Sequence, residues 1–406
     1  MESIDKFLEF ADKYGLYPDL RIIEGSATPE VIIDSKKVLM FSSNNYLSLS
    51  THPAVIDATI KAVKKYGGGS GGSRLLSGNL KVFRELEEKI VEFKGGEDAI
   101  IWPTGYSANV GIITAVMDSS IFEAVSSPIR FLSAKKNIIL SDEINHASII
   151  DGCKMTKQKV AVYKHLDMDD LERILKKHKG YRKFIVTDGV FSMDGDIAPL
   201  DRISNLAKQY DAITMVDEAH ASGIIGKTGR GTLEHFNLEP IRDIDIVMGT
   251  LGKSFGSAGG FAVGSKNLIR FLRVASRSYM FSTAMTPATA GAAIAAINVA
   301  ENEPKWRQQL LENSNYLREG FKKIGYNTLN SQTQIIPILI GSDEKAIKFS
   351  RKLFEKNIFG PAVRWPAVEK GRARIRVTVM AGHTKEQIDY LIKCCGKIGQ
   401  ELGIIK

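Results

Sequence analysis

Ile244-Asp245-Ile246-Val247-Met248-Gly249-Thr250-Leu251-Gly252-Lys253-Ser254 is an apolar run that ends in glycines around a single lysine. The run 244–248 predicts a buried strand, and a glycine-rich stretch follows over 255–260. A lysine at the end of such a strand is open to a ligand yet held by short backbone. It serves as a phosphate clamp or plain surface charge, or else as the amine that forms a Schiff base with a carbonyl cofactor. The choice depends on what the neighbouring strands bring to the same edge.

Working outward, apolar β-branched runs at 99–102, 137–140, 160–163, 184–187 and 213–216 predict further strands. Helical periodicity at 82–93, 110–117, 168–179 and 201–210 falls between or beside them. This alternation predicts an α/β domain of three layers, its mostly parallel sheet covered on both faces and its ligand at the carboxyl ends of the strands. Past Gly264 the pattern turns helical (287–300, 305–324), then gives a strand, a helix, a strand and a closing helix from 335 to 402. The expected division is an N-terminal segment 1–50, a large α/β domain 51–285 and a smaller C-terminal α+β domain 286–406. The run Gly67-Gly68-Gly69-Ser70-Gly71-Gly72-Ser73-Arg74 lies between two patterned helices and predicts a packed loop rather than a linker. Residues 118–136 interrupt the rhythm as an ordered surface excursion.

Composition narrows the function classes. The chain has 406 residues, 44% hydrophobic and 25% charged, ample for a large core. No run is long and apolar enough for a membrane span, and the acidic, amphipathic start is unlike a secretory or transit signal. The net charge of +9 comes from basic residues scattered among acidic ones, with no nucleic-acid-binding signature. Such a surface also suits an acidic substrate such as coenzyme A. The 3 cysteines, Cys153, Cys394 and Cys395, are too few and too badly spaced for a disulfide framework or a metal site, which fits the cytoplasm.

Polar outliers sit at the strand ends: Asp142 and His146, Asp188 and Ser192, Asp217 and His220, and Lys253. Together they place carboxylates, imidazoles and a lysine around one sheet edge, as an active site requires. An aldehyde cofactor joined to Lys253 stabilises a carbanion if its ring nitrogen stays protonated, which a carboxylate such as Asp217 ensures. A phosphate tail needs N–H groups at a helix N-terminus, which Gly105-Tyr106-Ser107 supplies.

The ordered motifs SSNNYLSLSTHP, GGSGGSRLLSGN, TGYSANVG, SDEINHASIIDG, TDGVFSMDGD, VDEAHASGIIGKTGRG, GTLGKSFGSAGG, SRSYMFSTAMTP and ARIRVTVMAGHT run nearly end to end. With them the chain resembles the α-oxoamine synthases, pyridoxal-phosphate (PLP) enzymes of fold type I. The resemblance implies a homodimer with shared active sites that condenses an amino acid with an acyl-CoA and releases coenzyme A and carbon dioxide. It implies that Lys253 carries the cofactor and later removes the Cα proton, that His146 stacks on the ring and that Asp217 pairs with the ring nitrogen. His220 and Ser192 are expected near the ring hydroxyl. Gly105, Tyr106 and Thr250 are expected at the phosphate, joined by Ser282 and Thr283 of a second subunit. Arg376, helped by Asn44, is expected to grip the substrate carboxylate, and Arg21 to sit near the acyl-CoA.

Within that family, 8-amino-7-oxononanoate synthase and glycine C-acetyltransferase come first, with glycine or alanine as amino donor, and serine palmitoyltransferase next. A PLP aminotransferase and a non-catalytic partner subunit are the rivals, and Lys253 with Asp217 argues against silence. Phe83, Trp365 and Ala367 depart from residues common in relatives and bear on the acyl chain, not on the cofactor.

Overall fold

The computed structural model describes residues 2–13, 20–117 and 136–406, so 118–135 of the expected excursion lie outside the described residues. Its centre is a seven-stranded sheet in the order β4-β10-β9-β8-β7-β5-β6. Before it come β1 (Ile23–Glu24), β2 (Glu30–Ile33) and β3 (Lys36–Met40). The central strands are β4 (Asp98–Trp102), β5 (Asn137–Asp142), β6 (Lys159–Tyr163), β7 (Arg182–Asp188), β8 (Ala212–Asp217), β9 (Ile246–Thr250) and β10 (Gly260–Gly264). From β9 to β6 every pairing is parallel, while β10 runs antiparallel to both β4 and β9.

Side-chain alternation along these strands feeds two cores, one on each face. In β4, Ala99 and Ile101 enter one core and Ile100 and Trp102 the other; in β9, Val247 enters the first and Ile246 and Met248 the second. Leu86 and Ile90 of the helix Lys81–Lys94, with Ala293 and Ile297 of Pro287–Asn302, cover the first face. Ile112 and Ile113 of the helix Gly105–Met117, with Ile269 and Leu272 of Lys266–Ala275, cover the second. Burial on both faces is why these strands read as continuous apolar runs.

Two elements beside the ends of the central strands are absent from the sequence expectation. β10 lies within the stretch that reads as glycines before a helical region. Its first residue, Gly260, passes so close to the helix Gly105–Met117 that a Cβ there would lie 2.8 Å from Gly105 Cα. Across the ladder Gly249 faces Phe261, whose ring would be 2.4 Å from an added Cβ. The glycines admit a strand and an aromatic ring where any larger residue would clash. The helix Ala147–Met155 is the second difference; His146 is its N-cap, its Nδ1 accepting from the Ser148 N–H at 3.3 Å.

The last part carries β11 (Ile335–Gly341), β12 (Ile358–Phe359), β13 (Ala362–Val363) and β14 (Ala373–Thr378), with β14 central in a three-stranded sheet. β12 leaves that sheet and pairs in parallel with β3, Leu39 opposite Ile358. The Thr378 N–H donates to Phe41 O at 2.9 Å and Ala381 N–H to Tyr46 O at 2.7 Å. These bonds tie Asn44 and Tyr46 of the N-terminal segment to the end of β14, which carries Arg376.

The glycine loop at 67–73 is half packed. Ser70 Oγ donates to Ala284 O at 3.0 Å, and Ala284 N–H returns to Gly72 O at 3.0 Å. Gly67, Gly68, Gly69 and Gly71 face open space within one chain.

Candidate active site

β7 and β8 end side by side, with Asp188 in register opposite Asp217, and β9 ends next to them at Thr250. A cavity of about 160 Å³ opens at these ends, with Gly105, Asn109, His146, Asp217, His220 and Lys253 in its wall. Tyr106, Ser148, Asp188 and Thr250 line it as well. The parallel strands thus deliver to one place polar residues that lie far apart in the chain.

Lys253 Nζ lies 2.6 Å from His220 Nε2, and the other ring nitrogen, Nδ1, lies 2.7 Å from Tyr46 Oη. Tyr46 donates its proton to Asn44 Oδ1 at 2.9 Å, so its oxygen is free to accept from His220 Nδ1–H. That leaves His220 Nε2 as the acceptor for the lysine. Burial lowers the Lys253 amine to about 8, against the pull of Asp217 and Asp188 and with some help from Arg376. Burial also holds His220 well below the ordinary imidazole value, reinforced by the charges of Lys253, Arg376 and His146. The imidazole is therefore neutral and the amine poised to lose its proton near neutrality.

Asp217 accepts from the Ala219 N–H at 2.8 Å on one oxygen and from Asn109 Nδ2 at 2.7 Å on the other. Its neighbour Asp188 accepts the His146 N–H at 2.7 Å. Burial, and then the adjacent Asp217 charge, push Asp188 well above the usual carboxylate range. Two carboxylates packed together cannot both ionise cheaply, and Asp188 carries that cost. Burial lowers His146, with Asp217 opposing and Lys253 assisting.

Arg376 donates from Nε to Ser192 O at 2.6 Å and from Nη2 to Asn44 Oδ1 at 3.2 Å, with Tyr46 Oη at 3.5 Å. Arg374, two residues earlier on the same strand, instead pairs with Asp194. Both arginines lie on the same side of β14, and their partners set them apart.

The structure brings together Lys253, His220, Asp217, His146, Gly105, Tyr106 and Thr250 at the cavity, with Asn44 and Arg376 joined through Tyr46. The Thr250 hydroxyl donates to Gly259 O at 2.8 Å and accepts from the Gly252 N–H at 3.2 Å. The first N–H groups of the helix at Gly105 and Tyr106 therefore remain as donors for an anion. Ser192 reaches the site through its carbonyl; its side chain is not in the cavity wall. Ser282 and Thr283 line a separate hollow with Arg74 and Tyr279. Arg21 pairs with Asp34 at 2.9 Å, lies over the Phe354 ring and does not line the cavity. Asp142 also stands outside the wall; it accepts from Leu166 N–H at 3.1 Å and bonds His165 at 3.0 Å.

Sequence reasoning missed Asn109 and Tyr46 as members of the site. Asn109 had a signal, being a polar residue on the buried side of an otherwise apolar helix. Tyr46 had none, since its importance depends on a hydrogen bond to a residue 174 positions away.

Over residues 36–394 the sequence matches the family model described as aminotransferase class I and II. It is 45% identical to the 8-amino-7-oxononanoate synthase of Thermoanaerobacter pseudethanolicus, over 100% of this chain and 98% of that one. It is 42% identical to 8-amino-7-oxononanoate synthase 1 of Bacillus subtilis, over 96% of this chain and 95% of that one. Among solved structures it superposes on a serine palmitoyltransferase from S. paucimobilis with bound PLP–myriocin, with a TM-score of 0.90 at 30% identity, covering 99% of this chain and 98% of that chain. The 8-amino-7-oxononanoate synthase of Francisella tularensis gives a TM-score of 0.75 at 26% identity, covering 90% of this chain and 98% of that chain. The fold is that of the fold type I PLP transferases. The chain belongs to the aminotransferase class I and II family and, within it, to the α-oxoamine synthases, which are PLP-dependent acyltransferases.

Proposed function

We propose that the chain condenses alanine with pimeloyl-CoA to give 8-amino-7-oxononanoate, coenzyme A and carbon dioxide. The product's own structure supports that pair. Its amine-bearing carbon and terminal methyl are alanine without the carboxylate, and the rest is a dicarboxylic acyl group delivered as a thioester. Relatives named for this product reach 45% identity, against 30% for the serine palmitoyltransferase of similar fold.

The site's residues fit PLP. A buried amine of lowered basicity, a carboxylate fixed by two N–H donors and a helix N-terminus share one cavity. A Cβ at Gly105 would lie 3.3 Å from Met248 and 3.4 Å from Thr250, a crowded fit that glycine avoids. PLP, when bound, supplies an aldehyde to Lys253 and an electron-withdrawing ring to the amino acid. Lys253 would hold the aldehyde and take the Cα proton; its Nζ has His220 Nε2 as hydrogen-bond acceptor. Asp217 would hold the ring nitrogen, His146 the ring face and His220 the ring hydroxyl. Gly105, Tyr106 and Thr250 would hold the phosphate.

Arg376 and Asn44 grip the substrate carboxylate, and Ser192 O holds the guanidinium in place. That grip also orients the bonds at Cα, which decides the bond that breaks. The observation that carries this assignment is the hydrogen-bonded row Lys253–His220–Tyr46–Asn44–Arg376. It sets amine and carboxylate anchor at the two ends of one small site.

The working division is 1–50, 51–285 and 286–406, the middle part carrying the cofactor residues and the outer two supplying Asn44 and Arg376. The chain acts as a homodimer in this scheme, Ser282 and Thr283 serving the phosphate of a second copy. Leu75, Leu76 and Phe281 support this, being strongly exposed apolar residues beside the Ser73–Thr283 bridge. A cytoplasmic location is in keeping with free, buried Cys153, Cys394 and Cys395. Among the described residues no helix is long and apolar enough to cross a membrane.

The test is thiol release by the purified protein with alanine, glycine or serine against pimeloyl-, acetyl- and palmitoyl-CoA. Fastest turnover with alanine and pimeloyl-CoA is expected. Transamination of a keto acid without thiol release would sink the assignment.

A further inference from the structure

Asn109 sits inside the helix Gly105–Met117 among Ala108, Ile112, Ile113 and Val116, where burial of an amide costs free energy unless its N–H groups are used. Both are used. Asn109 Nδ2 lies 2.7 Å from Asp217 Oδ2 and 2.8 Å from Ser148 Oγ. Ser148 Oγ lies 2.7 Å from His146 Nδ1, and the Ser148 N–H points to the same nitrogen at 3.3 Å. One amide thus touches the carboxylate directly and the imidazole through a single hydroxyl.

The direction of every hydrogen in this chain follows from donor and acceptor inventories. Asp217 already takes the Ala219 N–H and offers only lone pairs to Asn109. The amide must therefore turn its amino group, not its oxygen, toward Asp217 and Ser148. Its oxygen is left buried without a partner, an unfavourable arrangement tolerated because the flipped amide would set oxygen against carboxylate. Since Ser148 Oγ receives an N–H, its own hydrogen is free for His146 Nδ1. That nitrogen then faces two donors, so it carries no proton and Nε2 does.

We propose that Asn109 is a positioning residue that fixes Asp217 as a pure acceptor and, through Ser148, locks His146 as the neutral Nε2–H tautomer. This rests on the assignment of Asp217 and His146 to the cofactor ring. There it would have a clear use: Asp217 would offer the ring nitrogen an acceptor, and a neutral imidazole against the ring would add no competing cation.

The experiment reads the protein itself rather than turnover. The full chain, freed of cofactor and labelled with ¹⁵N-histidine, gives ring-nitrogen correlations for its 7 histidines, with His146 assigned from the His146→Gln variant. At neutral pH the wild type is expected to show His146 with Nδ1 unprotonated and Nε2 protonated. In Asn109→Leu and in Ser148→Ala the His146 pair is expected to shift toward tautomer-averaged positions, with His220 unmoved. The Ser148→Ala chain retains the amide on Asp217 and guards against misfolding of Asn109→Leu. A wild-type His146 protonated at Nδ1, or His146 signals unchanged in both variants, would overturn the proposal. Because no substrate is used, that result stands apart from thiol release, which tests the activity.

Discussion

The two sides of the active site are built differently. On the strand-end side, Asp217, His220 and Asn109 are buried, and Lys253 bonds His220 while Asp217, Asn109 and, through Ser148, His146 form a second hydrogen-bonded group of the same chain. On the opposite side, Ser282 and Thr283 point into a separate hollow, glycines at 67–69 face open space, and Leu76 is 81% exposed. The first side is complete as a single chain folds; the second has the chemistry of a surface awaiting a cover. The difference teaches that the amine and its hydrogen-bonded neighbours are preorganised by the sheet, whereas under the proposed homodimer the outer wall would depend on association.

The largest expected effect removes the centre of the first side. Lys253→Ala should lower thiol release by at least about 100- to 10,000-fold with circular dichroism unchanged, since a positioned acid–base group contributes on that order. Retained turnover would mean that another group moves the proton.

The second side is probed by mixing subunits. A Ser282→Ala/Thr283→Ala chain should lose roughly 10- to 100-fold, the scale of one or two charge-assisted hydrogen bonds. Mixed with Lys253→Ala chains, it should form hybrids more active than either parent, because each hybrid contains one intact shared site. If mixtures never exceed their parents, the outer wall belongs to the same chain and the contrast disappears.

Arg374 and Arg376 sharpen the comparison within β14. Arg376→Ala should raise KM for the amino acid by about 10- to 100-fold, the worth of a charged hydrogen-bond pair, with little change in unfolding. Arg374→Ala should do the reverse, lowering stability by about 3 kcal/mol in urea unfolding by leaving Asp194 without its buried partner.

The smallest effect is a pH shift. With Lys253 lowered to about 8, capture of PLP by the cofactor-free protein should rise with pH and level off just above 8, well below an ordinary lysine. The sign for stability follows. Folding penalises the charged amine, so the deficit is full below pH 8 and is recovered as pH rises toward ~10.4, the value in the unfolded chain. Capture that keeps climbing to pH ~10.4 would show that burial does not lower this amine.

Much of this was legible in the sequence because burial on both faces leaves a strong mark. β4 to β9 appear as apolar runs, and the strand ends carrying Lys253, Asp217 and His146 follow from them. β10 escaped because Gly260 and Gly264 bracket only Phe261, Ala262 and Val263, and close backbone approach to Gly105 has no periodic signature. Arg376 follows from the motif resemblance, but the pairing of Arg374 with Asp194 does not, since both arginines face one way on β14. Tyr46 acts through a residue far along the chain, so no local pattern marks it as part of the site, whereas Asn109 carries the weak mark of an amide on the buried side of its helix.

The most direct test of the central claim is borohydride reduction of the cofactor-loaded protein followed by peptide mapping. The account predicts a phosphopyridoxyl adduct on the Lys253 peptide and on no other. An adduct on a different lysine, with Lys253 unmodified, would contradict it.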